Sequence, residues 1–190
     1  MPIWPSPFTC EGNFVKIEPL TQSHHNGLCE AVSDGNLNEL WYTSIPSADA
    51  MMTEIDRRIS LETMLPFTIL EKTTGKVLGM TTYMNIDETN RRLEIGSTWY
   101  RNAAQRTPTN TECKLLLLSH AFEALDCICV EFRTHFLNTQ SRRAIERLGA
   151  KLDGVLRSNA IMSNGTIRDT AVYSNHQSDG LPFEGDFSGS

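Results

Sequence analysis

Apolar and polar positions alternate from residue 14 to residue 20 (Phe-Val-Lys-Ile-Glu-Pro-Leu), the signature of a half-buried strand. Thr21 then offers a cap to a helix whose one face carries Leu28, Ala31 and Val32 and which closes near Ser33-Asp-Gly35. Residues 36–46 read as a loop or short helix bearing Trp41 and Tyr42. A second helix opens at Ser47 or Asp49, with Met51, Met52, Ile55 and Ile59 at helical spacing, and its methionines read as core. Residues 66–72 and 76–84 flank the turn Thr73-Thr-Gly75 as an antiparallel hairpin, and a further turn at 87–90 feeds a strand from Arg92 to Arg101.

The stretch 92–149 then reads as strand, loop, helix, strand, loop, helix. A loop at 102–109 precedes a long apolar helix from Asn110 to Ala124, and a strand over 128–135 runs into Leu137-Asn138 and a helix from Thr139 to Leu148, closed by Gly149. Two parallel strands joined by a crossover helix leave that helix's free N–H groups at one edge of the sheet, where an anion can sit. Thr109 and Glu112 have the spacing of a capping box, each side chain serving the other's backbone N–H. Strands near 151–157 and 168–174 close the chain as a hairpin about Asn164-Gly165, a pair that tolerates positive φ at both positions. The predicted class is α+β (mixed α/β): a central mixed sheet of about six to seven strands with helices on both faces.

Composition narrows the function classes. A chain of 190 residues with 39% apolar content suits one domain with its own core. We expect that domain over residues 1–175 and a loosely docked or disordered Gly/Ser/Asp-rich tail over 176–190. No apolar run reaches the ~18–20 residues of a membrane span, and the first residues lack the basic and apolar regions of a signal peptide. The net charge of −6, without an aromatic-interleaved basic stripe, argues against nucleic acid and weakly suits a cationic amine. The five cysteines have neither zinc-like nor redox spacing and read as reduced core thiols of a cytoplasmic protein, with no metal site expected.

Three segments carry a family resemblance: Glu94-Ile-Gly-Ser-Thr-Trp99, the run from Gln105 to Leu118, and the run from Asn138 to Ala150, joined by Arg168-Asp-Thr-Ala-Val-Tyr173. Together they resemble the GNAT acetyltransferase superfamily, with the RimJ/RimL-like branch as the best match, over roughly residues 13–173. The resemblance implies a parallel pair of strands that splay apart to admit the pantetheine arm of acetyl-CoA, and a loop before the crossover helix that wraps its pyrophosphate. It assigns cofactor binding to Ser97, Thr98, Trp99, Gln105, Arg106, Thr107, Thr109, Asn110, Asn138 and Ser141. Pro108 and Asn110 stand where the family's loop carries Gly and Gly/Ala, and proline supplies no N–H there; Arg106 or the Asn110 side chain are the candidate replacements.

For the chemistry, Glu94 is the candidate base toward the acceptor amine, directly or through water. Its alternative is a solvent-facing carboxylate paired with Arg92 or Arg101. The family's usual tyrosine acid falls at Ile145, so Ser141, or else Tyr173, is the candidate group for protonating the leaving thiolate. Trp41, Tyr83 and Glu94 are expected to line the acceptor pocket. The expected activity is N-acetylation of a primary amine on a protein N-terminus or a small molecule by direct attack in a ternary complex, without metal, nucleic acid or membrane, and with a homodimer left open. A non-catalytic acyl-CoA-binding sensor is the alternative.

Overall fold

The computed structural model describes residues 4–40 and 44–180. Eight strands form one sheet: β1 (Cys10–Glu11), β2 (Val15–Pro19), β3 (Leu65–Glu71), β4 (Val77–Asp87), β5 (Arg92–Tyr100), β6 (Cys129–His135), β7 (Lys151–Ile161) and β8 (Ile167–His176). Their spatial order is β1-β2-β3-β4-β5-β6-β8-β7. The sequence accounts for seven of these; the eighth, β1, is a two-residue pairing against β2 with no pattern to announce it. Neighbours run antiparallel except β5 and β6, which are parallel. Four α-helices accompany the sheet: α1 (His25–Ser33), α2 (Met51–Ser60), α3 (Thr109–Ser119) and α4 (Thr139–Arg147).

Strand alternation sorts the core into two layers. On one face Ile17, Phe67, Ile69, Leu93, Ile95, Val130, Phe132 and Tyr173 pack against Cys113, Leu117 and Leu118 of α3 and Ile145 of α4. On the other, Met80 and Trp99 meet Leu28, Ala31 and Val32 of α1 and Met51 and Ile55 of α2. Each fully buried Val, Leu, Ile, Phe or Met among them contributes about 1.5–3 kcal/mol. Helix α2 departs from its sequence pattern: Met52 and Ile59 point outward, 37% and 47% exposed, while Arg58 turns inward at 2%. The apolar run after Ser119 continues as a π-helical turn, His120–Ala124.

Two turn expectations are corrected. Asn164 does not adopt positive φ; Gly165 alone does (φ 81°), and Asn164 instead accepts the Thr166 N–H through its side chain at 3.0 Å. The capping box of α3 does not form. Helical geometry already begins at Pro108 (φ −60°), and the Thr109 N–H turns to the Thr107 hydroxyl at 3.3 Å. The Glu112 carboxylate is drawn away to the turn before β2, where it accepts the N–H groups of Asn13, Phe14 and Val15 at 2.6, 2.8 and 2.9 Å. A Cβ on Gly12 would stand 2.4 Å from that carboxyl carbon, so a side chain there would push the Glu112 carboxylate from its place over the turn.

This clamp joins α3 to the first strands across nearly a hundred residues of sequence. Gln at position 112 keeps the reach but presents an NH2 toward N–H donors. We expect Glu112→Gln to lose about 1–2 kcal/mol of stability, read by denaturant unfolding; an unchanged midpoint would refute the clamp.

Candidate active site

The parallel pair holds for three residues and then opens. Arg92 pairs with Cys129, Leu93 with Val130 and Glu94 with Glu131, and no pairing follows. Beyond that point β5 stays with β4 through a bulge: Thr82 faces Gly96 but Met80 faces Trp99, so Ser97 and Thr98 together oppose Thr81. Ser97 takes φ 49°, a left-handed conformation costly for a residue with a side chain. What holds it is Arg58 of α2. Its Nη1 donates to the Ser97 carbonyl and to the Thr82 hydroxyl, both at 2.9 Å, and its Nε donates to Glu54 at 2.6 Å. Burial opposes the charge on Glu54, yet the bonds from Arg57 and Arg58 hold its carboxyl below the usual range.

Both diverging strands lead into helix starts. β5 runs through 102–108 into α3, and β6 runs through Asn138 into α4, so two helix N-termini stand at the carboxyl end of the parallel pair, where open sheets bind ligands. The Asn138 side chain accepts the Ser141 N–H at 3.0 Å, as a cap should. In α3 the first helical bond is Glu112 N–H to Pro108 O, leaving the earlier N–H groups of Asn110 and Thr111 outside the helical ladder. The loop is pinned to the end of α1: Asp34 accepts the Ala103 N–H at 3.0 Å through its carboxylate and the Asn102 N–H at 3.2 Å through its carbonyl. Gln105 bonds the Tyr100 carbonyl at 3.1 Å, and Arg106 lies in the left-handed region (φ 59°).

Glu94 stands at the fork itself, 5% exposed. Its Oε2 accepts from Asn85 Nδ2 at 2.6 Å and lies 3.8 Å from Arg133 Nε. Neither Arg92 nor Arg101 is its partner: Arg92 pairs with Glu131 and Arg101 with Glu30 and Asp34. Burial pushes its carboxyl above the ordinary range and Glu131 adds to the rise, while Asn85, Arg133 and Arg168 pull the other way. A Cβ on Gly96 would come 2.7 Å from the Met84 sulfur and 3.0 Å from Glu94 Oε1, so glycine two residues on keeps room for this carboxyl group.

Other sequence candidates fall differently. Ser97 is exposed, the Thr98 hydroxyl pairs with Thr81 at 2.8 Å, and the Trp99 ring is buried among α1 and α2. The Thr107 hydroxyl donates to the Ala104 carbonyl at 2.6 Å and Thr109 is buried beside it. Tyr83 does not line the acceptor side. It lies fully buried on the α3 face, its hydroxyl donating to the Leu117 carbonyl at 2.5 Å, because strand parity directs it away from Glu94. Tyr173 is likewise engaged, receiving from Arg142 and donating to Glu146, each at 2.8 Å. Ser141 is half-buried in the first turn of α4. Trp41 lies outside the described residues.

The structure adds groups that sequence reasoning missed: Asn85, Arg58, Arg133, Arg168 and Lys114. Lys114 is 8% exposed, its ammonium 5.4 Å from the centre of the Phe132 ring just past the fork, and burial pulls its amine down to about 8. A charged residue inside the apolar run of α3 was the signal that could have found Lys114; the long-range contacts of the rest left no local trace.

An open mixed sheet, one parallel pair that parts at a buried carboxylate, and two helix starts at the opening define an acyl-transfer fold, and comparison with known proteins agrees. A family model described as an acetyltransferase (GNAT) domain matches residues 15–151. No curated protein matches. Among solved structures, a GCN5-related N-acetyltransferase from Brucella melitensis is 30% identical with TM-score 0.83, covering 92% of this chain and 81% of its own. A GNAT-family protein from Chromobacterium violaceum ATCC 12472 is 26% identical with TM-score 0.81, covering 93% and 92%. RimL, a ribosomal L7/L12 α-N-protein acetyltransferase solved with coenzyme A, shares the fold at 15% identity and TM-score 0.78, covering 89% and 98%. The chain belongs to the GNAT acetyltransferase family.

Because the folded state holds the Glu94 proton to higher pH than the unfolded chain does, it binds more protons between the ordinary glutamate value of about 4.3 and the raised one. Stability must therefore fall as pH rises through that window. Glu94→Gln keeps the Asn85 contact and removes the penalty, so we expect it to match or exceed the parent's melting temperature at pH 7, with the gap closing below pH 4. A variant clearly less stable at pH 7 would mean that the carboxylate is held by net attraction instead.

Proposed function

We propose that this chain is an acetyl-CoA-dependent N-acetyltransferase acting on a primary amine by direct attack within a ternary complex, in the manner of the RimJ/RimL-like branch. The observation that supports this most is the opening of β5 from β6 at Glu94, directly beside two helix starts. The residues present fit the cofactor. The buried Oδ1 of Asn110 lacks a hydrogen-bond partner among the described residues, and the N–H groups opening α3 suit a pyrophosphate. Arg106 and Gln105 flank that position, with Thr107 and Thr109 shaping the loop. Lys114 provides a partly desolvated amine toward the same opening, and Asn138 fixes the start of α4 beside it. Pro108 suits the first turn of a helix, where a missing N–H costs little, so its presence does not argue for a non-catalytic sensor.

Acetyl-CoA supplies the activated thioester. Glu94 takes the proton of the incoming ammonium, which its raised basicity favours. Backbone N–H groups of the bulge at Ser97, Thr98 and Trp99 face the charge that builds on the acyl oxygen as the carbon–nitrogen bond forms. The carbon–sulfur bond breaks, the second proton released from the amine nitrogen passes to the departing thiolate, and the Ser141 hydroxyl donates a hydrogen bond to that sulfur. A thiol of about pKa 8.5 leaves readily even with weak help, so a serine suffices where Ile145 fills the core.

Thiol release from acetyl-CoA over a panel of primary amines tests the activity. We expect Glu94→Gln to lower kcat by about 10²-fold or more with acetyl-CoA affinity unchanged by calorimetry. The parent's kcat/KM should show an acid limb above the usual glutamate range that vanishes in the variant; full turnover in Glu94→Gln would remove Glu94 as the base. Lys114→Met should weaken acetyl-CoA binding while leaving the protein at least as stable at pH 7, and an unaltered dissociation constant would exclude Lys114 from the cofactor site.

A further inference from the structure

Strand register places a second set of groups around Glu94. Glu94 lies opposite Glu131 on β6; Arg133, two residues further, lies opposite Val172 on β8, and His135 opposite Thr170. Arg168, two residues before Thr170, shares that face. Glu94, Arg133 and Arg168 thus occupy one surface across three strands, the surface that α2 reaches through Arg58 and not the one covered by α3 and α4.

The cations here are only partly used. Arg133 stands 3.8 Å from Glu94 and 3.7 Å from Glu131, within Coulombic reach but beyond good hydrogen bonding. Arg168 is half-buried, donates through Nε to the Thr170 hydroxyl at 2.9 Å, and has no carboxylate within ion-pair distance among the described residues. That bond is itself braced, since Thr170 donates to Asn159 at 2.8 Å and the neighbouring Asp169 accepts the Ser158 N–H at 2.7 Å. The β7–β8 hairpin therefore holds a half-buried guanidinium on the Glu94 face, near enough to lower that carboxyl group's proton affinity, and spends none of its Nη donors on a carboxylate among the described residues. Arg92 also lies on this face, paired at 3.6 Å with Glu131, so three guanidiniums face two carboxylates; burial and Arg168 lower the His135 imidazole below its ordinary value, against a smaller pull from Asp169. Arg58 and Arg57 are matched to Glu54.

We propose that the acceptor is a small zwitterion of the α-amino-acid type, its amine met by Glu94 and its carboxylate held by Arg133 and Arg168. This rests on the acetyltransferase reading above and narrows its acceptor. A base and a guanidinium separated by 3.8 Å can serve two groups of one molecule only when those groups are a few bonds apart. An extended polyamine would place a second cation against Arg168, and a peptide N-terminus has its first carboxyl group locked in an amide, which offers no charge to a guanidinium fork.

The test uses matched pairs: free L-amino acids, the corresponding amino-acid amides, and the amines lacking the carboxyl group, assayed by thiol release with the full chain. The expected result is kcat/KM at least about tenfold higher for the acids, the size of one charge-assisted contact. Arg168→Gln and Arg133→Gln should collapse the acid-to-amide ratio of kcat/KM, chiefly by raising KM for the acids, over and above any loss that a changed Glu94 basicity imposes equally on all acceptors, and should spare the acetyl-CoA dissociation constant. Amides or diamines used as well as the acids would overturn the proposal, as would equal losses on all probes in Arg168→Gln. If no amine is consumed, the acetyltransferase reading fails separately, and thermal shift decides the site. Stabilisation by the amino acid over its amide, lost in Arg168→Gln, upholds the anion site; no difference sinks it.

Discussion

A strand in the middle of a sheet must satisfy two neighbours, and β5 stops doing so after Glu94. The bulge at Ser97 adds a residue against β4, and from there the strand can no longer keep register with β6. An isolated pair of strands would close such a gap, because open backbone edges are costly. Here the closing is resisted from below by Arg58, which draws the Ser97 carbonyl down toward α2 and is itself neutralised by Glu54. A buried arginine is a weak source of net stability. Its contribution is to fix one carbonyl, and thereby to keep two strand edges apart for a ligand to fill.

The elements themselves were legible because they are local. Alternation marked the strands, turn residues marked their ends, and Asn138 caps α4 as its type and position required. The order of elements and the three motif segments were enough to reach the family. Side-chain destinations were less legible wherever two uses competed. Glu112 has the spacing of a capping box, yet three clustered N–H groups at Asn13, Phe14 and Val15 attract its carboxylate more than the single Thr109 N–H that a cap would offer it. Tyr83 lies one residue from the face that would have aimed it at the acceptor, and a single step in a strand reverses the side. Arg58 sits at a position the helical pattern leaves polar, and only α2's approach to Thr82 makes its burial favourable.

Within the site, Glu94 was readable as a carboxylate on a strand but not as a buried one. Its setting is assembled from Asn85 on β4, Arg133 on β6 and Arg168 on β8, brought together by sheet order rather than by spacing in the chain. Lys114 is the reverse case: its place on an apolar helix is plain in the sequence, while its nearness to Phe132 at the fork depends on the packing of α3 over the sheet.

The two faces of the sheet divide the work by electrostatics. The α3 side offers helix N-termini and a lysine, a setting that suits phosphate. The opposite side balances Glu94 between forces of contrary sign: burial and Glu131 raise its affinity for a proton, while Asn85, Arg133 and Arg168 lower it. With burial prevailing, this carboxyl group takes a proton more readily than an exposed glutamate does, and that is what the base role proposed for it asks.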